Sequence, residues 1–188
     1  MEALIALLVI VVLVLVVGVI LYNGLVARRN RVLEAVGQID VQLKRRHDLV
    51  PNLVAAVRDY MGFEQDVLTR VTEARANAVA AGATGAVTRD QVQAENTLTG
   101  ALRSLFAVAE NYPALKANEN VLALQEQLTT TENQISFARQ HYNASVNDYN
   151  PAIQTFPSLL IAGPFGFTRR EFFDAEPEAE AVPVVALR

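Results

Sequence analysis

Residues 3–21 read ALIALLVIVVLVLVVGVIL, and the rest of the chain is best read outward from this stretch. Sixteen of its nineteen residues are Val, Ile or Leu, and no charge interrupts it. A helix of roughly 20 residues, rising 1.5 Å each, spans the ~30 Å hydrocarbon core of a bilayer. Each Val, Ile or Leu favours insertion by roughly 0.3–0.6 kcal/mol, which sums to about 5–9 kcal/mol. A cleaved signal peptide would carry Lys or Arg before the run and a small-residue cleavage site after it. Here Glu2 precedes the run and Tyr22-Asn23-Gly24-Leu25 follows. A soluble core helix is seldom apolar on every face. Residues 1–22 are therefore expected to be a transmembrane anchor.

Flanking charge sets the orientation. Arg28, Arg29 and Arg31 follow the span, then Lys44, Arg45 and Arg46, with no basic side chain before it. Basic flanks stay on the cytoplasmic side, so a short N-terminus outside and the remainder in the cytoplasm is expected, at the cell membrane. Arg28, Arg29 and Arg31 lie close enough to the span to meet lipid head groups.

Beyond the span, hydrophobic period and punctuation predict four helices at about 23–46, 48–81, 88–112 and 115–150. The first carries Val32, Ala35 or Val36, Ile39 and Leu43, with no Pro at its join to the span. The second opens at Asp48, read as an N-cap, with Pro51 in the first turn, where its missing N–H is harmless. Its stripe is Val50, Val54, Val57, Met61, Leu68, Val71 and Ala78, and Glu64 falls on it too. It fades in Ala80-Ala81-Gly82-Ala83-Thr84-Gly85. Thr88-Arg89-Asp90-Gln91 has the form of a capping box and opens the third, with Val92, Leu98, Leu102, Leu105 and Ala109. Pro113 closes it. The fourth has a coiled-coil step of three and four: Val121, Leu124, Leu128, Thr131, Ile135, Ala138, Tyr142, Ser145 or Val146, Tyr149. Short links imply an antiparallel four-helix bundle of long helices, all-α, continuing from the span. Residues 156–173 are aromatic among Gly and Pro, and should pack on the bundle or the membrane. Residues 174–188 are acidic and are expected to be disordered.

The same residues resemble the LemA family of prokaryotic membrane proteins. The resemblance is carried by Tyr22-Asn23-x-Leu25-Val26 and Arg29-Asn30, then by the unbroken run Ile39-Asp40-Val41-Gln42-Leu43-Lys44-Arg45-Arg46 and Asp48-Leu49-Val50-Pro51-Asn52-Leu53-Val54. It continues through Glu110-x-Tyr112-Pro113-x-Leu115-Lys116-Ala117-Asn118, Leu124-Gln125-x-Gln127-Leu128-x-x-Thr131-Glu132 and Arg139-x-x-Tyr142-Asn143. Tyr149-Asn150, Phe156-Pro157, Gly166-Phe167 and Phe172-Phe173 complete it. It implies a membrane helix plus a cytoplasmic-side four-helix bundle, and it assigns no established molecular activity. Pro151 departs from the family pattern and predicts a kink there, and the acidic tail carries no family motif.

Composition narrows the function. The chain of 188 residues has net charge -4, which excludes a general nucleic-acid field. It has no cysteine, so thiolate nucleophiles and Cys-type zinc sites are excluded. Neither His47 nor His141 follows a Glu by three residues, as a di-metal bundle needs. No Gly-rich phosphate loop, nucleophile elbow or metalloprotease motif is present. No cofactor is expected and the chain reads as non-enzymatic. Glu64, Arg75, Glu110 and Arg139 lie near the stripes and read as structural pairs rather than catalytic carboxylates.

Lys44, Arg45, Arg46, Asp48, Asn52, Asn118, Tyr142 and Asn143 are the candidate interaction residues. Lys44-Arg45-Arg46 could meet an acidic partner, but Arg46 would lie roughly 37 Å beyond the span along a straight helix, too far for lipid. It reads better as a basic end matching the first helix's dipole. A helix cap explains Asp48 and Pro51 but leaves Asn52 open. Three functions remain: a membrane-tethered scaffold contacting protein partners or copies of itself, a ligand-sensing bundle with a groove near Asn52, Asn118 and Tyr142, and an unrecognised hydrolase or metalloenzyme.

Overall fold

The computed structural model describes residues 1–61, 64–82 and 87–173. It contains α1 (Glu2–Arg58), α2 (Gln65–Gly82), α3 (Arg89–Ala109), α4 (Pro113–Lys116), α5 (Glu119–Ala152) and α6 (Leu159–Ala162), with no strand among the described residues. The all-α class holds, and the packing is that of a helical bundle. Two compact units divide the chain. One comprises Met1–Ala35 and His141–Phe172, and the other Val36–Gln140 with Phe173. The acidic tail from residue 174 and the loop at 83–86 lie outside the described residues.

The second unit is built on the stripes. Val50, Val54, Val57, Met61, Leu68, Val71, Ala78, Leu98, Leu102, Leu105, Val121 and Leu128 are buried together in one core. Two expectations need correction. No helix starts at Asp48, because α1 runs through residues 47–51 and ends at Arg58. Pro51 is interior, where it should leave the carbonyl four residues back, that of His47, without its helical donor. The Arg75 side chain of α2 supplies that donor, with Nε 2.7 Å from the His47 oxygen. The helix passes through its proline because a neighbouring guanidinium replaces the lost amide. The break falls instead after Arg58, where Tyr60 and Met61 still bond back to Val57 before α2 begins.

The second correction lies at Gln91, whose side chain does not reach back to close a capping box on Thr88, although Thr88 is the cap. The Thr88 hydroxyl accepts from the Gln91 N–H at 3.2 Å, as a cap should. The Gln91 side chain is buried and hydrogen-bonds Asp40. Residues 113–118 form a separate turn of helix, and Asn118 caps α5, its Oδ1 accepting from the N–H groups of Asn120 and Val121. Pro151 does not stop α5, which closes one residue later at Ala152.

In the first unit, α5 residues clasp the chain that follows. Asn150 Nδ2 donates to the Arg170 carbonyl and Oδ1 accepts from the Arg170 N–H, both at 2.9 Å. Tyr142 donates its hydroxyl to the Glu171 carbonyl at 2.8 Å. Beyond α6, Gly166 takes φ +71°, a conformation that suits glycine. Its N–H bonds the Gly163 carbonyl and the Phe167 N–H bonds that of Ala162, the paired bonds of a Schellman turn. The turn delivers Phe167 inward, edge-on to Tyr22 with ring centres 5.8 Å apart.

Candidate functional site

All four long helices meet in one polar layer inside the second unit. Arg46, on α1, is wholly buried on the line Ile39, Leu43, Val50. It pairs with the buried Glu95 of α3 and, at 2.6 Å, with Glu132 of α5. A second guanidinium nitrogen bond reaches the Thr99 hydroxyl at 2.8 Å. His47 Nε2 lies 3.0 Å from the other Glu95 oxygen, and Arg75 of α2 holds the His47 carbonyl.

The electrostatics of Glu95 follow from this arrangement. Burial pushes its carboxyl up, but the His47 hydrogen bond and the charges of Arg46 and His47 hold it below the usual range. At the layer's edge, burial raises Asp40, and the Glu95 charge adds to this against a Gln91 hydrogen bond. Chemically the layer is a fixed, neutralised network. It specifies the helix register, since a slip of any one helix would strand a buried charge.

Sequence reasoning missed Glu95 and misplaced Arg46, which is neither exposed nor at a helix end. The signal was available. Extending Leu105, Leu102 and Leu98 back by three and four reaches Glu95 and Gln91, and extending Ile39 and Leu43 forward reaches Arg46. Only apolar residues were followed, so the charged members of both stripes were passed over. Arg139, flagged beside its stripe, stacks over the Phe173 ring at 4.4 Å and reaches Asn96.

The other predicted residues scatter. Lys44 and Arg45 are exposed, and Lys44 bonds Asp48 at 2.8 Å within α1. That bond lowers the Asp48 carboxyl against slight desolvation, which raises it, and the Lys44 charge adds to the lowering. Asn52 is exposed. Asn118 is a cap and also donates to the Tyr60 hydroxyl. Tyr142 and the half-buried Asn143 belong to the first unit, Asn52 and Asn118 to the second. A groove of about 350 Å³ opens elsewhere, between α2 and α3, lined by Val67, Arg70, Ala74, Thr97 and Ala101.

In the first unit, the membrane-flanking arginines are engaged. Arg31 binds Asp148 at 2.6 Å and Arg28 approaches it at 3.5 Å. The Arg31 hydrogen bond, then the two positive charges, keep Asp148 below the usual carboxylate range against a little desolvation. Arg29 stacks over Phe167 at 5.1 Å. The opening stretch of α1 is long and apolar enough to cross a membrane, and none of it is buried.

An all-helical protein with an exposed apolar N-terminal helix and a charge-stitched bundle is the class that fold and site define. The family model for the LemA family matches residues 35–187, and the chain belongs to that family. It is similar to the magnetosome protein MamQ 2 of Paramagnetospirillum magneticum, 24% identical over 87% of this chain and 68% of the relative. The magnetosome protein MamQ of Magnetospirillum gryphiswaldense matches equally, 24% over the same shares. Protein LemA of Metamycoplasma hominis is 25% identical over 86% of this chain and 72% of its own length.

Proposed function

We propose that this chain is a membrane-tethered, non-catalytic scaffold, held in the cytoplasmic membrane by residues 1–22 with a short N-terminus outside and the bundle in the cytoplasm. It works through contacts with protein partners or copies of itself. One observation carries the reading: no residue of the apolar opening of α1 is buried, with Leu4 71% exposed and Leu15 64%, yet it continues the helix that enters the folded units. So much exposed hydrocarbon needs an apolar surrounding. Membership of the LemA family, with relatives named as magnetosome proteins, is in keeping with it. Arg46 and Glu95 are wholly buried and spend their charges on each other, which favours architecture over catalysis.

Alkaline carbonate should leave the full-length protein in the membrane pellet, and a C-terminal alkaline phosphatase fusion should be inactive. Crosslinking in intact membranes should capture a discrete neighbour. A protein released by carbonate, or one that stays monomeric and uncaptured, contradicts the proposal. The groove between α2 and α3 favours a second reading, a ligand-sensing bundle, for which a stabilising compound in a thermal-shift screen is the expected sign.

A further inference from the structure

The stretch from Phe156 to Phe165 exposes more large apolar surface than a solvated turn explains. Phe156 is 76% exposed, Leu160 66%, Phe165 61% and Leu159 52%. They do not dangle. Ala162 is buried and fixes the inner side of α6, the turn at Gly166 closes its end, and Asn150 ties down Arg170 just beyond. The segment is therefore a built element that presents its apolar side outward.

Its height along α1 is set by a contact within the same unit. The Phe165 ring lies 5.1 Å from that of Tyr22, and Tyr22 is the first residue after the apolar run ending at Leu21. Phe165 therefore sits at the end of the apolar run, and Leu159 and Leu160 lie within six residues of it in the same built segment. Basic residues flank this level: Arg28 and Arg29 lie about 10–12 Å along α1 from Leu21, and Arg169 and Arg170 follow the segment. Long arginine side chains at that depth reach phosphate.

From these contacts we infer that residues 156–165 form a second, shallow membrane attachment, immersed in the interface of the same bilayer that α1 crosses, with the exposed Arg169 facing anionic head groups. The inference rests on the tethered reading above and adds to it a fixed contact between the unit and the bilayer surface. It also decides between the two places open to the aromatic segment: Phe167 packs on the protein, while Phe156, Leu159, Leu160 and Phe165 face lipid.

The chain has no tryptophan, so single substitutions give one emitter each. Full-length Leu160→Trp and Phe165→Trp would be reconstituted in vesicles of phosphatidylcholine and phosphatidylglycerol with brominated acyl chains. Leu13→Trp reports the span. Leu33→Trp, exposed and about 18 Å past Leu21, reports water. The expected result is blue-shifted emission and a loss of more than half the intensity at positions 13, 160 and 165, with none at 33. Quenching at 13 but not at 160 or 165 overturns this inference and leaves the tether intact. No quenching at 13 overturns the tether itself. Replacing phosphatidylglycerol by phosphatidylcholine should weaken quenching at 160 and 165 while leaving 13 unchanged; equal quenching in both removes the anionic preference.

Discussion

Along a single helix, Ile10 is 60% exposed while Arg46 is wholly buried. The contrast extends to the two units that α1 joins. The unit of Val36–Gln140 hides an arginine and a glutamate in its middle and covers them with Leu and Val. The unit of Met1–Ala35 and His141–Phe172 buries Leu25, Val32, Val146 and Phe167 but leaves the Val, Ile and Leu of the opening of α1 outward, and uses polar side chains, Asn150 and Tyr142, to grip backbone. At these two places burial departs from hydropathy. It follows what surrounds each stretch and whether a partner satisfies the group.

The sharpest way to break the contrast is to remove one half of the buried pair. Arg46→Met should destabilise the second unit by about 3–5 kcal/mol, because Glu95 is left charged without its counterion. The double variant Arg46→Met with Glu95→Leu should recover most of that loss. Urea unfolding in detergent followed by circular dichroism measures both, and a stable single variant would mean that the layer does not set the register.

A smaller effect separates Arg75 from the rest of the layer. Arg75→Met leaves the His47 carbonyl unpaired, at a cost of about 1–3 kcal/mol. With Pro51→Ala in the same chain the backbone amide returns and the Arg75 substitution should become nearly silent. Equal effects in both backgrounds would show that the guanidinium does not stand in for the missing amide.

Acid should act on the second unit through Glu95. Its carboxyl is lower in the folded than in the unfolded state, so its stabilisation is complete above the ordinary value of 4.5 and fades as pH falls through the folded value. The unfolding midpoint should therefore drop below about pH 4.5, with a shallower drop in Glu95→Gln. For the first unit, Tyr142→Phe removes one hydroxyl bond, worth about 0.5–1.5 kcal/mol. Faster amide exchange confined to residues near Glu171 is the expected result, and unchanged exchange there would remove the clasp.

Much of this architecture was legible in the residues. The apolar opening, the stripes of α2, α3 and α5 and the Thr88 cap follow from composition and period, and the stripe residues Leu98, Leu128 and Ile135 are indeed buried. The polar layer was not legible in the same way. A period traced through apolar residues alone stops at a charge, and the charges at 46 and 95 continue it. Nor could Pro51 be placed, since its effect depends on Arg75, which is 24 residues away in sequence and becomes a neighbour only after folding. The capping of α5 by Asn118 was not legible either, because a cap and a binding asparagine look alike in sequence.

The stand-in at Pro51 makes the stiffness of α1 conditional. An ordinary helix carries its own struts, whereas here one strut between residues 47 and 51 is lent by α2. Drawing α2 aside would hand the His47 carbonyl back to water and leave α1 with a swivel at that turn, so any event that loosens α2 is transmitted as a bend in the helix beside it.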